Sequence, residues 1–384
     1  MSFKNVTLLF LFIVLLSSVG IKSSFLDYFI SFIYLLIFIF SRKKIKSLSS
    51  IIDYFPIIMI IAWLYAFFLG LFNGTSFYNI IFNFPGILLV ALYYPFSTVS
   101  LNKKEIFIIF LIATSIINIY VLYPVFITNT YTLKLGDLMV NRKYYSPSLI
   151  LQVIAFNTLL IKRGEFKQID LSNRLIFISK INAILSLIVL LISFSKGFWL
   201  SLLGSFFLIN AMAAIYYFKK GKIGKVQIFI FFLVVFLVLY IITNFPDFID
   251  SLMLFFSNNA VGNSLRSEQA IYLIKEFSFF GAGLGTPLSS GYMRDVFGYA
   301  FELSFYNVIH KFGVFSILLF IPYLYVLYSN LRWIINHNTN FNTIFSISIL
   351  SYLLAASGNP ILFATINVII FMIWVSQNRN FYNH

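Results

Sequence analysis

The sequence predicts an all-α polytopic membrane protein, a bundle of about 12 transmembrane helices with one large outer loop, and three observations carry that prediction. Of 384 residues, 60% are hydrophobic and 10% charged, with a mean hydropathy of +0.94. So few charges cannot cover that much apolar surface in water. Runs such as Val6–Ile21, Phe25–Phe40 and Ile51–Phe72 approach or exceed the ~17–25 apolar residues that cross a bilayer core. Within these runs polar and apolar residues do not alternate, as they would in the strands of a barrel.

Taken in order, the spans are separated by polar breakers. The first, about 5–21, ends in "SSVG" and has the outline of a signal peptide; its cleavage would leave the remaining topology unchanged. The second, 25–40, stops at "SRKKIKSLSS", and the third, 51–72, at "NGTS". The fourth, 77–96, precedes "STVSLNKK", and the fifth, 105–127, runs into a polar segment. Pro147 opens the sixth, 147–161, since proline is tolerated in a first helical turn. "KRGEFKQIDLSNR" leads to 175–193, "SFSKGFWL" turns into 197–217, and "KKGKIGK" leads to 226–243. After a long polar stretch come 300–328, 343–357 and 360–376, divided by "SNLRWIINHNTN" and "SGNP". The 300–328 run is long for one span, so its first turn is expected outside the bilayer. No internal repeat is visible, and residues 1–384 read as one integral membrane domain.

Charge sets the sidedness. With the N-terminus inside, the inner segments hold Lys4; Arg42, Lys43, Lys44, Lys46; Lys103, Lys104; Lys162, Arg163, Lys167, Arg174; Lys219, Lys220, Lys222, Lys225; Arg332 and Arg379. That is 17 of the 27 basic residues; eight lie on the other side, namely Lys22, Lys134, Arg142, Lys143, Lys196, Arg266, Lys275 and Arg294. Cytoplasmic loops carry such an excess. Both termini are therefore expected inside a bacterial cytoplasmic membrane. The net charge of +15 reads as topology and contact with anionic membrane lipid, not as nucleic-acid binding. The outer face then holds two sizeable loops, about 128–146 and 244–300, and function is sought there.

The absence of cysteine excludes disulfides, thiol nucleophiles and thiolate metal sites. His310, His337 and His384 are too scattered for a histidine-rich metal centre. The outer cations oppose the topological bias and need another reason. Arg142 precedes "YYSP", Lys196 sits in "SFSKGFWL", and Arg266 falls on a short amphipathic helix expected over 264–277 with Asn263 or Ser264 as N-cap. Converging from three distant segments, they would hold one anion at the membrane surface: Arg donates two parallel hydrogen bonds to a phosphate and Lys adds a point charge. The plainer alternative is scattered surface charge paired with Asp137, Glu268 or Asp295. "GAGLGT" at 281–286 follows no strand and lacks the Gly-Lys-Ser/Thr ending of a nucleotide loop; a flexible turn back to the membrane is expected. Tyr144, Tyr145 and Tyr292 suit stacking on sugar rings, and interfacial anchoring explains tyrosines at least as well. Glu302 opens an apolar span, where a carboxylate is costly unless paired or used. It serves there either as the partner of an outer Arg or as a base for a sugar hydroxyl. His310, eight residues on and roughly on the same face, is either a hydrogen-bonded bundle residue or a reserve catalytic group.

Three stretches carry a family resemblance. "SFSKGFWLSLLG" looks like a Ser-Arg-Gly-aromatic turn entering a span; "FFGAGLGT" after the Arg266 helix looks like a Pro-x-x-Gly-x-Gly stretch; and "ELSFYNVIHKFGVFSILLF" places Glu302 and Gly313 where relatives have a His and a Gly eleven residues apart. In these respects the chain resembles the O-antigen polymerase and ligase superfamily of envelope glycosyltransferases (Wzy and WaaL types), most specifically over about 190–320. Lys196 replaces the usual Arg, Leu303 the usual Asn, and Glu302 the ligase His, which favours a repeat-unit polymerase over a ligase. The resemblance implies a GT-C-like bundle acting on the outer face of the inner membrane. It implies transfer of a growing glycan from undecaprenyl pyrophosphate to the hydroxyl of a new lipid-linked repeat unit, giving O-antigen or capsule-type polysaccharide. Donor and acceptor would both be lipid-linked oligosaccharides, no cofactor or metal would be needed, and a chain-length regulator would be a protein partner. It implies that Arg142, Lys196 and Arg266 hold the pyrophosphate and that Glu302 acts as base or acceptor-orienting group. A ligase transferring glycan to lipid A-core is the enzymatic alternative. A lipid-linked oligosaccharide flippase is the non-enzymatic one, and it would call for charges along a central cavity.

Overall fold

The computed structural model describes residues 2–20, 24–41, 48–126, 146–193, 195–221, 261–292 and 301–383. Among them all regular structure is helical, and five helical stretches are long and apolar enough to cross a membrane: Ile51–Phe72, Lys103–Tyr123, Asn173–Ile192, Lys196–Lys219 and Ser304–His337. Six shorter apolar helices coincide with other expected spans, and the span expected at 226–243 lies outside the described residues. The protein is membrane-embedded on these grounds.

The helices run in this order: α1 Phe3–Gly20, α2 Ser24–Phe40, α3 Phe55–Phe72, α4 Phe77–Phe82, α5 Tyr93–Thr98, α6 Lys103–Phe126, α7 Leu149–Asn157, α8 Arg163–Gln168, α9 Asn173–Ile192, α10 Lys196–Lys219, α11 Val261–Lys275, α12 Ser304–Phe312, α13 Ser316–His337, α14 Phe341–Leu350, α15 Tyr352–Ala356 and α16 Thr365–Gln377. Local chemistry marks many of the boundaries. Ser50 and Asp53 form a capping box before α3, which takes Pro56 in its first turn. Ser76 caps α4, Ser172 caps α9, and Asn340 with Thr343 boxes the start of α14.

Contacts between successive loops gather one set of helix ends together. Lys4 pairs with Glu105, Lys104 with Asp170, and Arg379 with Asp53; Lys162 and Asn338 both bond the Tyr217 hydroxyl. Lys103, Arg163, Lys167, Arg174, Lys219, Lys220 and Arg332 lie at or near helix ends on this side, the basic end. Lys196, Arg266 and Lys275 are at the opposite end, with the C-terminus of α3 and the start of α12. Midway, an uncharged network joins α6, α7 and α9. Asn118 donates to Asn182 and Ser186, Gln152 donates to Asn118, and Asn182 donates to Thr114. Such bonds fix helix register where apolar packing alone is not selective.

Three expected spans are broken. The 77–96 run divides at Asn83–Phe84, where Phe84 takes a left-handed φ of 56° before the 3-10 turn Pro85–Leu92. The 300–328 run begins at Ser304 and breaks after Phe312 at Gly313, φ 55°. The 343–357 run is interrupted at Ser351, between α14 and α15. Non-helical backbone at such depth is tolerated only where protein covers it and meets its polar groups. At the first two breaks the covering element is the stretch 278–286; at the third, Ser201 Oγ donates to the Ser351 carbonyl.

Candidate functional site

The glycine run expected as a flexible turn is a clamped strap. Breaking the helix at Phe312 leaves carbonyls at the end of α12 without intrahelical donors. The strap supplies them: Ala282 N–H donates to the His310 carbonyl at 2.8 Å and Gly283 N–H to Lys311 at 3.0 Å. It also enters α3, with Leu284 N–H on the Ala66 carbonyl at 2.8 Å and Tyr65 OH on the Phe280 carbonyl at 2.8 Å. Gly285 N–H donates to Asn83 Oδ1 at 3.1 Å, which fills the break after α4. Gly281, Gly283 and Gly285 all have positive φ, and a Cβ on Gly283 would lie 2.3 Å from Gly70 N. Only glycine meets both demands. The spacing serves backbone approach to other backbone, not to a phosphate.

The strap fixes α11 and α12 in place, and their meeting point holds the charged pair. Arg266 Nε donates to Glu302 Oε2 at 3.1 Å, each side chain 27% exposed. One turn further along α11, the buried Gln269 accepts the Leu303 N–H at 3.0 Å. Leu303 heads α12 and has no side-chain cap of its own, so Gln269 provides that acceptor from another helix. The next residue, Ser304, donates to the Asn359 carbonyl at 2.6 Å. Asn359 in turn abuts α10, since a Cβ on Gly197 would sit 2.5 Å from its Nδ2. Lys196, the first residue of α10, is thus two contacts from the Glu302 segment. Of the two roles weighed for Glu302, the pairing with an Arg is present, with Arg266.

Several expectations are corrected. Helix α11 starts at Val261, so Asn263 and Ser264 lie within it and neither is its N-cap. Glu302 precedes the first turn of α12, so it shares no helix face with His310. His310 is buried at 2% exposure, its ring edge-on to Phe301 at 6.5 Å, and among the described residues its Nδ1 has no hydrogen-bond partner. The hydrogen bond expected for a bundle histidine is missing at that atom. Tyr292 stacks on Tyr272 at 4.9 Å and belongs to a small cluster with Leu273, Leu288 and Phe301. One face of its ring is occupied by protein. Arg142, Tyr144 and Tyr145 lie outside the described residues, as do 128–145 of the first expected outer loop and 244–260 and 293–300 of the second.

Sequence reading missed three contributors. Gln269 and Asn359 are neutral and have no motif; only the pairing of distant segments reveals them. Lys311, inside an apolar run, is fully buried. It bonds the Thr286 carbonyl and sits 5.3 Å over the Phe301 ring, tying α12 to the strap and shielding the segment that carries Glu302. Glu276 closes the loop after α11, accepting N–H bonds from Ser289 at 2.6 Å and Ser290 at 2.9 Å. Burial is the largest single influence and raises its carboxyl, but these bonds together outweigh it and hold the group below the ordinary value. Among the described residues no three His, Asp or Glu side chains gather into a metal site. No family model matches the chain, and no curated protein matches it.

Proposed function

We propose that this protein is a membrane glycosyltransferase that polymerises undecaprenyl-pyrophosphate-linked repeat units on the outer face of the cytoplasmic membrane. The observation that carries the reading is the Arg266–Glu302 contact at 3.1 Å, held at the end of the bundle away from the basic loops. It puts a cation suited to a diphosphate beside a carboxylate suited to a hydroxyl. In the reaction, Glu302 takes the proton of the acceptor hydroxyl. The acceptor oxygen bonds the anomeric carbon of the donor, and the bond from that carbon to the diphosphate oxygen breaks with its electron pair. Arg266 and Lys196 stabilise the charge gathered on the departing diphosphate. The charge distribution supports the assigned sidedness: the basic end matches the cytoplasmic excess seen in membrane proteins. The departures at Glu302 and Leu303 support a polymerase over a ligase.

The test is deletion of the gene followed by gel analysis of surface glycan. A polymerase is expected to leave single-repeat caps. Free lipid-linked polymer would mean a ligase instead, and lipid-linked repeats retained inside the cell would mean a flippase. In purified protein, Glu302→Gln should cut turnover by about two to four orders of magnitude. Near-normal turnover would remove Glu302 as the base.

A further inference from the structure

Helix α11 and the start of the strap carry an apolar strip that the proposed reaction does not use. Ile271, Ile274, Phe277, Phe279 and Phe280 are each more than half exposed. The buried side of α11 is taken up by docking: Gln269 holds the Leu303 N–H, and Leu273 joins the small cluster with Leu288 and Phe301. Its exposed side is divided along its length. Ile271 and Ile274 lie toward one edge, Lys275 and Glu268 toward the other; at about 100° per residue, Glu268 and Ile274 stand roughly 120° apart. An apolar edge beside a charged one is the pattern of a helix lying in a membrane interface.

We propose that α11 and residues 277–280 are seated in the leaflet at this end of the bundle, with the acyl chains of membrane phospholipid covering the strip. The Arg266–Glu302 pair then opens sideways onto the membrane at headgroup depth. Continuity identifies the occupant. Tyr65 OH donates to the Phe280 carbonyl at 2.8 Å, Val314 N–H donates to the Phe279 carbonyl at 2.9 Å, and the Tyr65 ring packs on Phe315 at 4.2 Å. These contacts fix the strip against the ends of α3 and α13, which belong to stretches long and apolar enough to cross a membrane. Phe68, Phe72 and Ile317, on those same ends, are also more than half exposed. The strip therefore extends a surface that already faces lipid, and it is not an isolated patch. Left in water, so much contiguous apolar surface would be unusual. An interfacial helix sinks its apolar side about 5–10 Å into the boundary of headgroups and acyl chains, which leaves Glu268 and Lys275 in water. Arg266 precedes Ala270 and Ile274 by one and two turns on one side of α11, so it lies beside the sunken edge and away from Glu268. Its contact with Glu302 is then level with lipid phosphates. A diphosphate carried on a lipid reaches that contact by moving within its leaflet, without its tail leaving the acyl layer. The seating stands without the reaction proposed above; the route for a lipid-borne diphosphate rests on it.

The test is collision of nitroxide labels with oxygen, which concentrates among acyl chains, and with a nickel chelate, which stays in water. The full-length chain has no cysteine, so Ser267→Cys, Ile271→Cys, Ile274→Cys and Phe280→Cys can each be labelled alone, in nanodiscs of phosphatidylethanolamine and phosphatidylglycerol. Ile61→Cys, on the exposed side of α3, and Ser290→Cys, at an exposed polar position, supply the lipid and water references. Labels at Ile274 and Phe280 should match that at Ile61, with the ratio of oxygen to nickel access several-fold above that at Ser290. The label at Ile271 decides the matter if either variant fails to fold. Nickel access as high as at Ser290 would put the strip in water. Low access to both reagents would mean that protein covers it, from this chain or from a second copy. Either result overturns the seating. The label at Ser267, beside Arg266, should give a ratio between the two references, and a ratio equal to that at Ser290 overturns the lateral opening. These readings need no turnover, so the two proposals fail separately. Seated labels in a protein that makes no polymer sink the functional reading alone, and wet labels in an active polymerase sink the seating alone.

Discussion

Replacing Gly283 with alanine tests whether the strap is a clamp or a loose connection. Two costs arise. Gly283 has a φ of +83°, and a side chain in the left-handed region costs about 1–2 kcal/mol. The added Cβ would lie 2.3 Å from Gly70 N and 2.6 Å from Gly70 Cα, so strap or helix must move by about 1 Å to restore ordinary contact, an overpacking cost of about 1–3 kcal/mol. The sum, about 2–5 kcal/mol, is a large part of the ~5–15 kcal/mol that holds a typical protein folded. Gly291→Ala is the internal control. It shares the backbone demand at φ +73° and has nothing within 4 Å of the new Cβ, so only the first cost applies. Paired thermal unfolding of both variants in one detergent isolates the crowding, and Gly283→Ala should melt well below Gly291→Ala. Equal melting temperatures would refute the clamp, because they would mean that the strap can withdraw from α3 at no cost.

Three further outcomes are expected. Asp53 is buried and accepts from Ser49 N–H, Ser50 N–H and Tyr93 OH while pairing with Arg379. Asp53→Asn removes the negative charge opposite Arg379 and should cost about 3–5 kcal/mol, seen in unfolding, with pyrophosphate affinity unchanged because the site is at the other end. The depressed carboxyl of Glu276 contributes stability that is present above its unfolded value of 4.5 and is lost as pH falls through its lower folded value. Glu276→Gln should therefore flatten that acid limb of the stability profile, and an unchanged limb would place the titration elsewhere. Cysteine introduced singly is a clean probe in a chain with none. At Ser290 it should react with an impermeant reagent on intact cells, whereas at Lys219 it should be protected.

Much of the helical layout was legible because apolar run length and charge placement are local signals. The basic end and the runs that became α3, α6, α9 and α10 needed nothing more. The breaks at Phe84 and Gly313 were not legible, since the groups there are met only by residues distant in sequence, Asn83 by Gly285 202 positions on and the His310 and Lys311 carbonyls by strap residues 28 positions earlier. The same distance hid the role of the glycines. Their spacing says that backbone must come close to something, and only the fold shows that the something is Gly70 and the Lys311 carbonyl. In the site, charge made Arg266, Lys196 and Glu302 visible in an apolar chain. Gln269 and Asn359 act through one amide oxygen and one backbone carbonyl, and such groups carry no signal until their donors are known. Lys311 was visible, but its burial against Phe301 was not.

The strap also sets an order of events during synthesis. Its side-chain bonds to Tyr65, Asn73 and Asn83 span 215, 209 and 202 residues. At about 5–20 residues per second, the first third of the chain waits roughly 10–40 s before its partner emerges. Throughout that interval the break between α4 and α5 has no cover, and Asn83 faces lipid or water without the Gly285 N–H. The nascent bundle is therefore most exposed to proteases and to wrong helix partners before residue 285 is made. Shortening the delay by a circular permutation that places 261–337 first would be expected to raise the yield of folded protein without altering a single contact.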